Sequence, residues 1–420
     1  MDSSIQDISA REILDSRGNP TLCASLKAEG AWYHGFVPSG ASTGKHEAVE
    51  LRDNDQRYGG KGVRKAVSHV NDIIAKKIIG MDPADQQSID EALIALDGTA
   101  DKSRLGANAL LGVSLAAARA GAAILEKPLY THIANLAGTK KMILPHPFMN
   151  IINGGKHAGQ AHDAQEHLIV PVKGKTFHEL LQTGAEVYHT LKAMLKKRYG
   201  PSSILLGDEG GFVAPLKTVE ERFDLILEAI DASGHDGEVK LALDAAASEF
   251  YRKGTYSLGE HIFDADSLAD HYLGLADAYP LVSIEDGFDE EDWAAWKAFM
   301  PKARGKFQVI GDDLLCTNQR RIARAIDEHS CDVLLLKVNQ IGTLTEAIKA
   351  SQLAMSKNWK VQVSHRSGET EDPFIADLVV GLGTGQSKFG AVARSERTAK
   401  YNRLLGIEDE LGKKAFLSSW

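Results

Sequence analysis

Val333-Leu334-Leu335-Leu336-Lys337 is an uncharged apolar run closed by a lysine, and five other stretches repeat the pattern. Lys240-Leu241-Ala242-Leu243 leads into Asp244, and Leu281-Val282-Ser283-Ile284 into Glu285-Asp286. Phe307-Gln308-Val309-Ile310-Gly311 leads into Asp312-Asp313, and Val361-Gln362-Val363-Ser364 into His365-Arg366. Leu378-Val379-Val380 runs through a glycine-rich loop to Lys388. Such runs read as strands covered on both faces. The helical patterns between them call for crossover connections and a parallel sheet. In a closed β/α barrel every strand end of this kind opens onto one face, around one cavity. One charge after one run would be an ordinary solvated loop residue, but six in order point to a shared site.

Upstream, apolar stretches at 148–152 and 168–172 precede an amphipathic helix with Phe177, Leu180, Leu181, Val187, Leu191 and Leu195 on its apolar positions. Turn signals at Ser16-Arg17-Gly18-Asn19-Pro20 and Glu29-Gly30 make residues 5–37 a small antiparallel sheet. Helical patterns follow near 61–79, 83–96 and 106–125, and then Gly138-Thr139-Lys140-Lys141 with Pro145 and Pro147. A chain of 420 residues suits two domains, placed here at 1–138 (α+β) and 139–420 (the barrel).

The 57 acidic residues outnumber the 48 basic ones, for a net charge of −9, and no long basic run exists. That leaves no electrostatic case for nucleic acid or an anionic membrane as partner. Cys23, Cys316 and Cys331 form no CxxC, so neither a disulfide scaffold nor a zinc-thiolate site is expected, and a reducing, cytoplasmic setting fits. Met1-Asp2-Ser3-Ser4 lacks the basic segment and apolar core of a secretory signal. The most apolar stretch, 109–125, is rich in Ala and Gly and carries Arg119, so it reads as a buried helix and not a span.

Asp244, Glu285 and Asp312 offer only oxygen ligands, the set a hard divalent cation prefers, Mg2+ above all when a phosphate also binds. Without a cation these carboxylates would repel one another unless lysine or arginine paired with them. Lys337, at a low-dielectric rim beside metal, is expected to have a lowered pKa and to serve as a base; the alternative is a lysine simply paired to a carboxylate. Gly207-Asp208-Glu209-Gly210-Gly211 suits a general acid on a tight loop. In His365-Arg366-Ser367-Gly368-Glu369 the adjacent Arg and Ser suit a phosphate grip. Pro38-Ser39-Gly40-Ala41-Ser42-Thr43-Gly44 has the small residues of a mobile lid, spanning 38–46, or of an ordinary loop. Gly381-Leu382-Gly383-Thr384-Gly385 opens no helix and is not a dinucleotide motif. Together these parts suggest one reaction class: a base takes a proton next to a carboxylate, metals hold the resulting charge, and an acid helps a group leave.

At this point the chain resembles the enolase (phosphopyruvate hydratase) family from end to end. The matching segments include Ala10-Arg11-Glu12-Ile13-Leu14-Asp15-Ser16-Arg17-Gly18-Asn19-Pro20-Thr21, Asn153-Gly154-Gly155 with His157, Gln165-Glu166, and the stretches 39–44, 207–212, 283–286, 311–314, 334–344, 364–372 and 393–400. The pairing of a Lys or His base with Mg2+ is a known trait of that superfamily. The resemblance implies an enolase-type α/β barrel, two antiparallel strands and then six β/α units, with a smaller N-terminal α+β domain. It implies dehydration of 2-phospho-D-glycerate to phosphoenolpyruvate with two Mg2+ sites, the second filled with substrate. Asp244, Glu285 and Asp312 would hold the first ion, and Ser42 would help hold the second. Lys337 would be the base and Glu209 the acid, supported by Glu166. Gln165 and Lys388 would meet the substrate carboxylate, Arg366 and Ser367 its phosphate, and His157 and His365 would line the site. Family members are commonly homodimers or higher assemblies.

Several positions depart from the usual family pattern. Gln160 and His162 stand where Asn and Leu are usual, His167-Leu168 replaces Phe-Met, Gly287 and Val392 replace Pro, Phe389 replaces Thr, and Val213 looks inserted. Drift within an ordinary glycolytic enolase accounts for them. So does a paralogue acting on a phosphonate, like the enolase-like enzyme that forms carboxyphosphonoenolpyruvate, with His162 or Phe389 meeting the altered group. A binding or structural role is a third reading. Phe416-Leu417-Ser418-Ser419-Trp420 lacks the terminal lysine that would favour plasminogen capture.

Overall fold

Strands β1 (Ile5–Leu14), β2 (Pro20–Ala28) and β3 (Ala31–Phe36) pair antiparallel in that order. The structure is a computed structural model and describes residues 3–41, 43–160 and 162–420. Glu29 and Gly30 both take positive φ, 49° and 80°, the turn geometry that matches right-twisted strands. The middle strand, β2, is buried along nearly its whole length because helix Ala107–Ile124 lies across the sheet. This helix is long and apolar enough to cross a membrane, yet 83% of it is buried inside the protein, as the sequence predicts. Its contact with β3 is backbone on backbone: a Cβ on Gly35 would stand 2.1 Å from the Gly112 carbonyl oxygen. The other expected helices are residues 64–78, which include a π-helical stretch at His69–Ile74, and Gln86–Asp97.

The barrel begins with β4 (His146–Asn153), β5 (Glu166–Pro171) and β6 (Val239–Asp244). A small antiparallel sheet of β7 (Tyr251–Arg252), β8 (Thr255–Leu258) and β9 (His261–Phe263) branches off after β6. The chain then supplies β10 (Leu281–Glu285), β11 (Gln308–Gly311), β12 (Val333–Leu336), β13 (Lys360–Ser364) and β14 (Gly385–Lys388). The ring closes in the order β10-β11-β12-β13-β14-β4-β5-β6. Strand β5 is antiparallel to both neighbours, and the other pairings are parallel. Helices cover the outside, several of them started by a Thr, Asp or Asn side chain that accepts an orphan N–H of the first turn, as at Thr176, Thr218, Asp264, Asn318 and Thr343.

One strand lies elsewhere than expected. Leu378-Val379-Val380 belongs to helix Phe374–Leu382, and the strand that ends in Lys388 is Gly385-Gln386-Ser387-Lys388. The helix is buried at every position, partly against helix Leu129–Ala137, so its sequence is apolar all round and shows no period that separates it from a buried strand.

Candidate active site

Register brings the acids together. Glu166 on β5 is level with Asp244 on β6, and Asp244 is level with Glu285 on β10. Because β5 runs backwards, its first residue reaches the face where parallel strands present their last. A one-residue slip would turn these side chains to the other surface. Beyond β10, Asp286 takes φ of 44° and accepts the N–H groups of Asp312 (2.9 Å) and Asp313 (2.8 Å), which ties the loop after β11 to the loop after β10.

Glu209 arrives on a loop threaded against β4. Phe212 bridges Ile152, and the Ala391 N–H donates to the Glu209 carbonyl at 2.9 Å. A Cβ on Gly211 would lie 2.3 Å from Asn153 Oδ1, and one on Gly210 2.7 Å from the Ala393 carbonyl oxygen, so only glycines fit there. Around the Glu209 carboxylate stand His365 Nε2 at 3.2 Å, Asn150 Nδ2 at 3.2 Å and His157 Nδ1 at 3.6 Å, the last also 3.7 Å from Glu166.

His157, Gln165, Glu166, Glu209, Asp244, Lys337, His365, Arg366, Ser367 and Lys388 line one pocket. Glu285 and Asp312 join it through the two lysines. The Lys388 ammonium lies 2.9 Å from Asp244, 2.8 Å from both Glu285 oxygens and 3.2 Å from Glu166. Gln165 Nε2 donates to Asp244 at 3.4 Å. The Lys337 ammonium binds Asp312, whose other oxygen accepts from Gln340 at 2.8 Å. Ser42 lies outside the described residues. Its neighbour Ala41 donates its N–H to Ser367 Oγ at 2.7 Å, and the Ser39–Gly368 bridge docks the 38–46 loop on the barrel. Arg366 is tied to Glu47 at 2.9 and 3.0 Å and to Asn339, so both expected phosphate contacts are engaged by the chain itself.

The charges follow from this geometry. Burial alone would lower the Lys337 pKa, but Asp312 outweighs it and raises it, with Glu285 adding. The depressed value expected beside metal therefore does not arise from burial: Arg366 and Lys388 also act to lower it, yet the Asp312 carboxylate holds the ammonium charged. Lys388 is likewise raised against its burial, by Asp244, Glu166 and Glu285. Burial and then the Asp244 charge push Glu285 well above the usual carboxylate range. Glu166 rises through burial and the nearby Glu209 charge, whereas Glu209, despite its burial, is held down by His365 and His157. Of the two carboxylates, Glu166 is therefore the one whose surroundings favour a proton. Burial lowers His365 to about 3, so that imidazole is neutral near pH 7.

A hard cation fits this site. Asp244, Glu285, Asp312 and Glu166 converge on two ammonium groups, Glu209 stands in the same pocket, and Glu166 Oε2 is buried without a hydrogen-bond partner. Asp244 and Glu285 already share one positive centre, Lys388 Nζ. Two clusters among the described residues bring carboxylate or imidazole ligand atoms within 4.8 Å of one another: His157, Glu166 and Glu209 in the pocket, and Asp286, Asp312 and Asp313, where Asp286 is spent on two backbone N–H groups. Sequence reasoning missed four residues here: Asn150, Gln340, Glu47 and Arg397. Arg397 is fully buried and donates to His365 Nδ1, to the carbonyls of Arg366 and Ser367, and to that of Asp208. Its only signal was its place in the matching stretch 393–400.

Of the two positions expected to meet an altered substrate, neither lines the pocket. Phe389 is fully buried beside Tyr401, and His162 faces a separate, larger cavity.

Fold and site define a barrel enzyme whose acidic strand ends gather around buried cations. The chain belongs to the enolase family: the enolase N-terminal domain matches residues 5–133, and the enolase C-terminal TIM barrel domain matches residues 141–419. It is accordingly a lyase-type enzyme of the enolase superfamily, in which dehydration depends on Mg2+, and its acidic clusters could hold that ion.

Proposed function

We propose that the protein interconverts 2-phospho-D-glycerate and phosphoenolpyruvate, as a phosphopyruvate hydratase. The observation that carries this reading is the placement of the base opposite the carboxylates Glu166 and Glu209. Lys337 follows β12 and Glu166, with Glu209 beside it, opens β5, four strands apart in a ring of eight. They therefore face each other across the pocket, as removal of a proton and a hydroxyl from opposite sides of a C–C bond requires.

Lys337 takes the proton next to the substrate carboxylate after its ammonium has given a proton to solvent and released Asp312. A proton from the Glu166 and Glu209 carboxylates passes to the departing hydroxyl, which leaves as water while the double bond forms. His157 and Asn150 hold Glu209 in position, and His365, neutral, accepts from Arg397 while facing Glu209. Lys388 and Gln165 meet the carboxylate, and Arg366 and Ser367 the phosphate. Asp244, Glu285 and Asp312 would hold a first Mg2+, and Ser42 would contribute to a second. Bound there, Mg2+ would neutralise these carboxylates and the charge that develops when the proton leaves.

That the departures at Phe389 and His162 lie away from the pocket supports 2-phosphoglycerate over a phosphonate analogue. The reading includes a cytoplasmic homodimer. The three free cysteines fit a reducing compartment, and sedimentation can measure the oligomeric state.

The test is product formation from 2-phosphoglycerate with Mg2+, paired with exchange of the substrate's α-proton in D2O. Lys337→Ala should lose both, by roughly 10²- to 10⁴-fold. Glu209→Gln should lose product formation and keep the exchange. A wild-type enzyme that turns over only a phosphonate analogue, or a Lys337→Ala variant that still exchanges, sinks the reading.

A further inference from the structure

Arg222 is almost fully buried at the start of helix Val219–Ala232, yet the reaction described above makes no use of it. Its guanidinium grips Asp163 with two hydrogen bonds of 2.6 Å each. It also donates to the Leu216 carbonyl at 2.7 Å and reaches His167 Nε2 at 3.5 Å. Asp163 ends the loop that carries His157, and Gly154 begins it. A Cβ on Gly154 would stand 2.8 Å from Asp163 Oδ2 and 3.3 Å from Arg222 Nη1, so the ion pair packs against the other foot of the same loop. His167 follows Glu166 directly on β5, and its ring meets Phe223 edge-on at 5.6 Å. Burial first, and then the Arg222 charge, keep that imidazole neutral, so it accepts from the guanidinium without repelling it.

A cavity of about 780 Å³ lies against the loop, walled by Gln160, His162, Asp163, Arg222, Leu258 and Phe263. The Gly259 N–H also holds the His162 carbonyl at 2.6 Å. On the side that faces the cavity the loop lacks packing partners, so fixed contacts at its feet carry more of its position. The departures at Gln160, His162 and His167 fall on or beside this wall.

We infer that Arg222 is a positioning residue: through Asp163 at the loop and His167 on β5, it sets His157 and Glu166 against Glu209. Its catalytic consequence rests on the dehydration reading above. A bidentate guanidinium–carboxylate pair fixes orientation as well as distance, which an ammonium would not do. A loop displaced by about 1 Å costs roughly 10²-fold in rate while leaving substrate contacts on other elements intact.

The experiment compares Asp163→Asn, Arg222→Met and Arg222→Lys with wild type, by steady-state kinetics on 2-phosphoglycerate with Mg2+ and by hydrogen exchange of the 155–160 amides. Asp163→Asn keeps the shape of the side chain and is the variant read if Arg222→Met does not fold. The expected result is a kcat lower by roughly 10- to 100-fold with KM within about 3-fold, together with faster exchange at 155–160. Arg222→Lys should recover part of both. Unchanged exchange in Asp163→Asn overturns the inference, and so does faster exchange with kcat intact. If wild type does not turn over 2-phosphoglycerate, the functional reading falls. The clamp is then judged by exchange alone, with unchanged protection overturning it.

Discussion

His167 shows how much a single side chain takes from its surroundings. It is fully buried, one ring nitrogen lies 3.5 Å from an arginine, and its pKa sits well below the ordinary histidine value, through burial and then the Arg222 charge. In the unfolded chain it titrates near 6.5. Between that value and its lower native one, the unfolded chain binds more protons, so stability is lost as pH falls below about 6.5. For one proton the slope is about 1.4 kcal/mol per pH unit. His167→Phe, the usual family residue, should remove this share: urea midpoints measured from pH 7 to 5 should fall less steeply than in wild type. Equal slopes would show that His167 titrates in the native state as it does in the unfolded chain. Lys337 teaches the complementary lesson, since Asp312 sets its charge and the apolar run before it does not.

Among the elements, helix Ala107–Ile124 and strand β3 touch backbone to backbone. Gly35 has no room for a methyl group, with the Gly112 oxygen 2.1 Å and the Ala116 nitrogen 2.8 Å from where its Cβ would be. Gly35→Ala must push helix and sheet apart and should cost about 1–3 kcal/mol or more. Gly274, inside helix Ala265–Ala278, would meet nothing within 4 Å. Gly274→Ala should therefore stabilise by roughly 0.5–1 kcal/mol through helix propensity and a less flexible unfolded chain. Chemical denaturation of both variants checks the contrast, and a harmless Gly35→Ala would refute the contact. Strand β5 matters in another way: its reversed direction puts Glu166 in the site.

Across the whole molecule, the site gathers more buried negative charge than its lysines neutralise, so a bound divalent cation should favour the folded state. Mg2+ at 100 times its Kd adds about 2.7 kcal/mol by mass action. Adding Mg2+ to chelator-treated protein should raise Tm, and Asp244→Asn should blunt the rise. A Tm unmoved by Mg2+ would mean that Lys388 already satisfies Asp244 and Glu285. The N-terminal domain takes part as well: Lys45 pairs with Glu290 at 3.1 Å, Glu47 with Arg366 and Ala41 with Ser367, so the 38–46 loop is held by both sides of the pocket.

Asp244, Glu285, Asp312, Lys337 and His365 were legible in the sequence because each closes an apolar strand, and a barrel sends all such ends to one face. Lys388 was legible as a destination, but the strand leading to it was not, since a buried helix and a buried strand look alike when no solvent face imposes a period. Asn150 hides in an apolar run, and Gln340, Glu47 and Arg397 sit where nothing local marks them. Their partners lie dozens to hundreds of residues away and meet only when the ring closes. The sequence by itself determined which ionisable groups close the strands. The tertiary structure alone decided their pairing and which further residues join them, and with it which lysine is held by which acid and which carboxylate favours a proton. The reason is that desolvation and Coulomb energy depend on distances between strands, which no local pattern encodes.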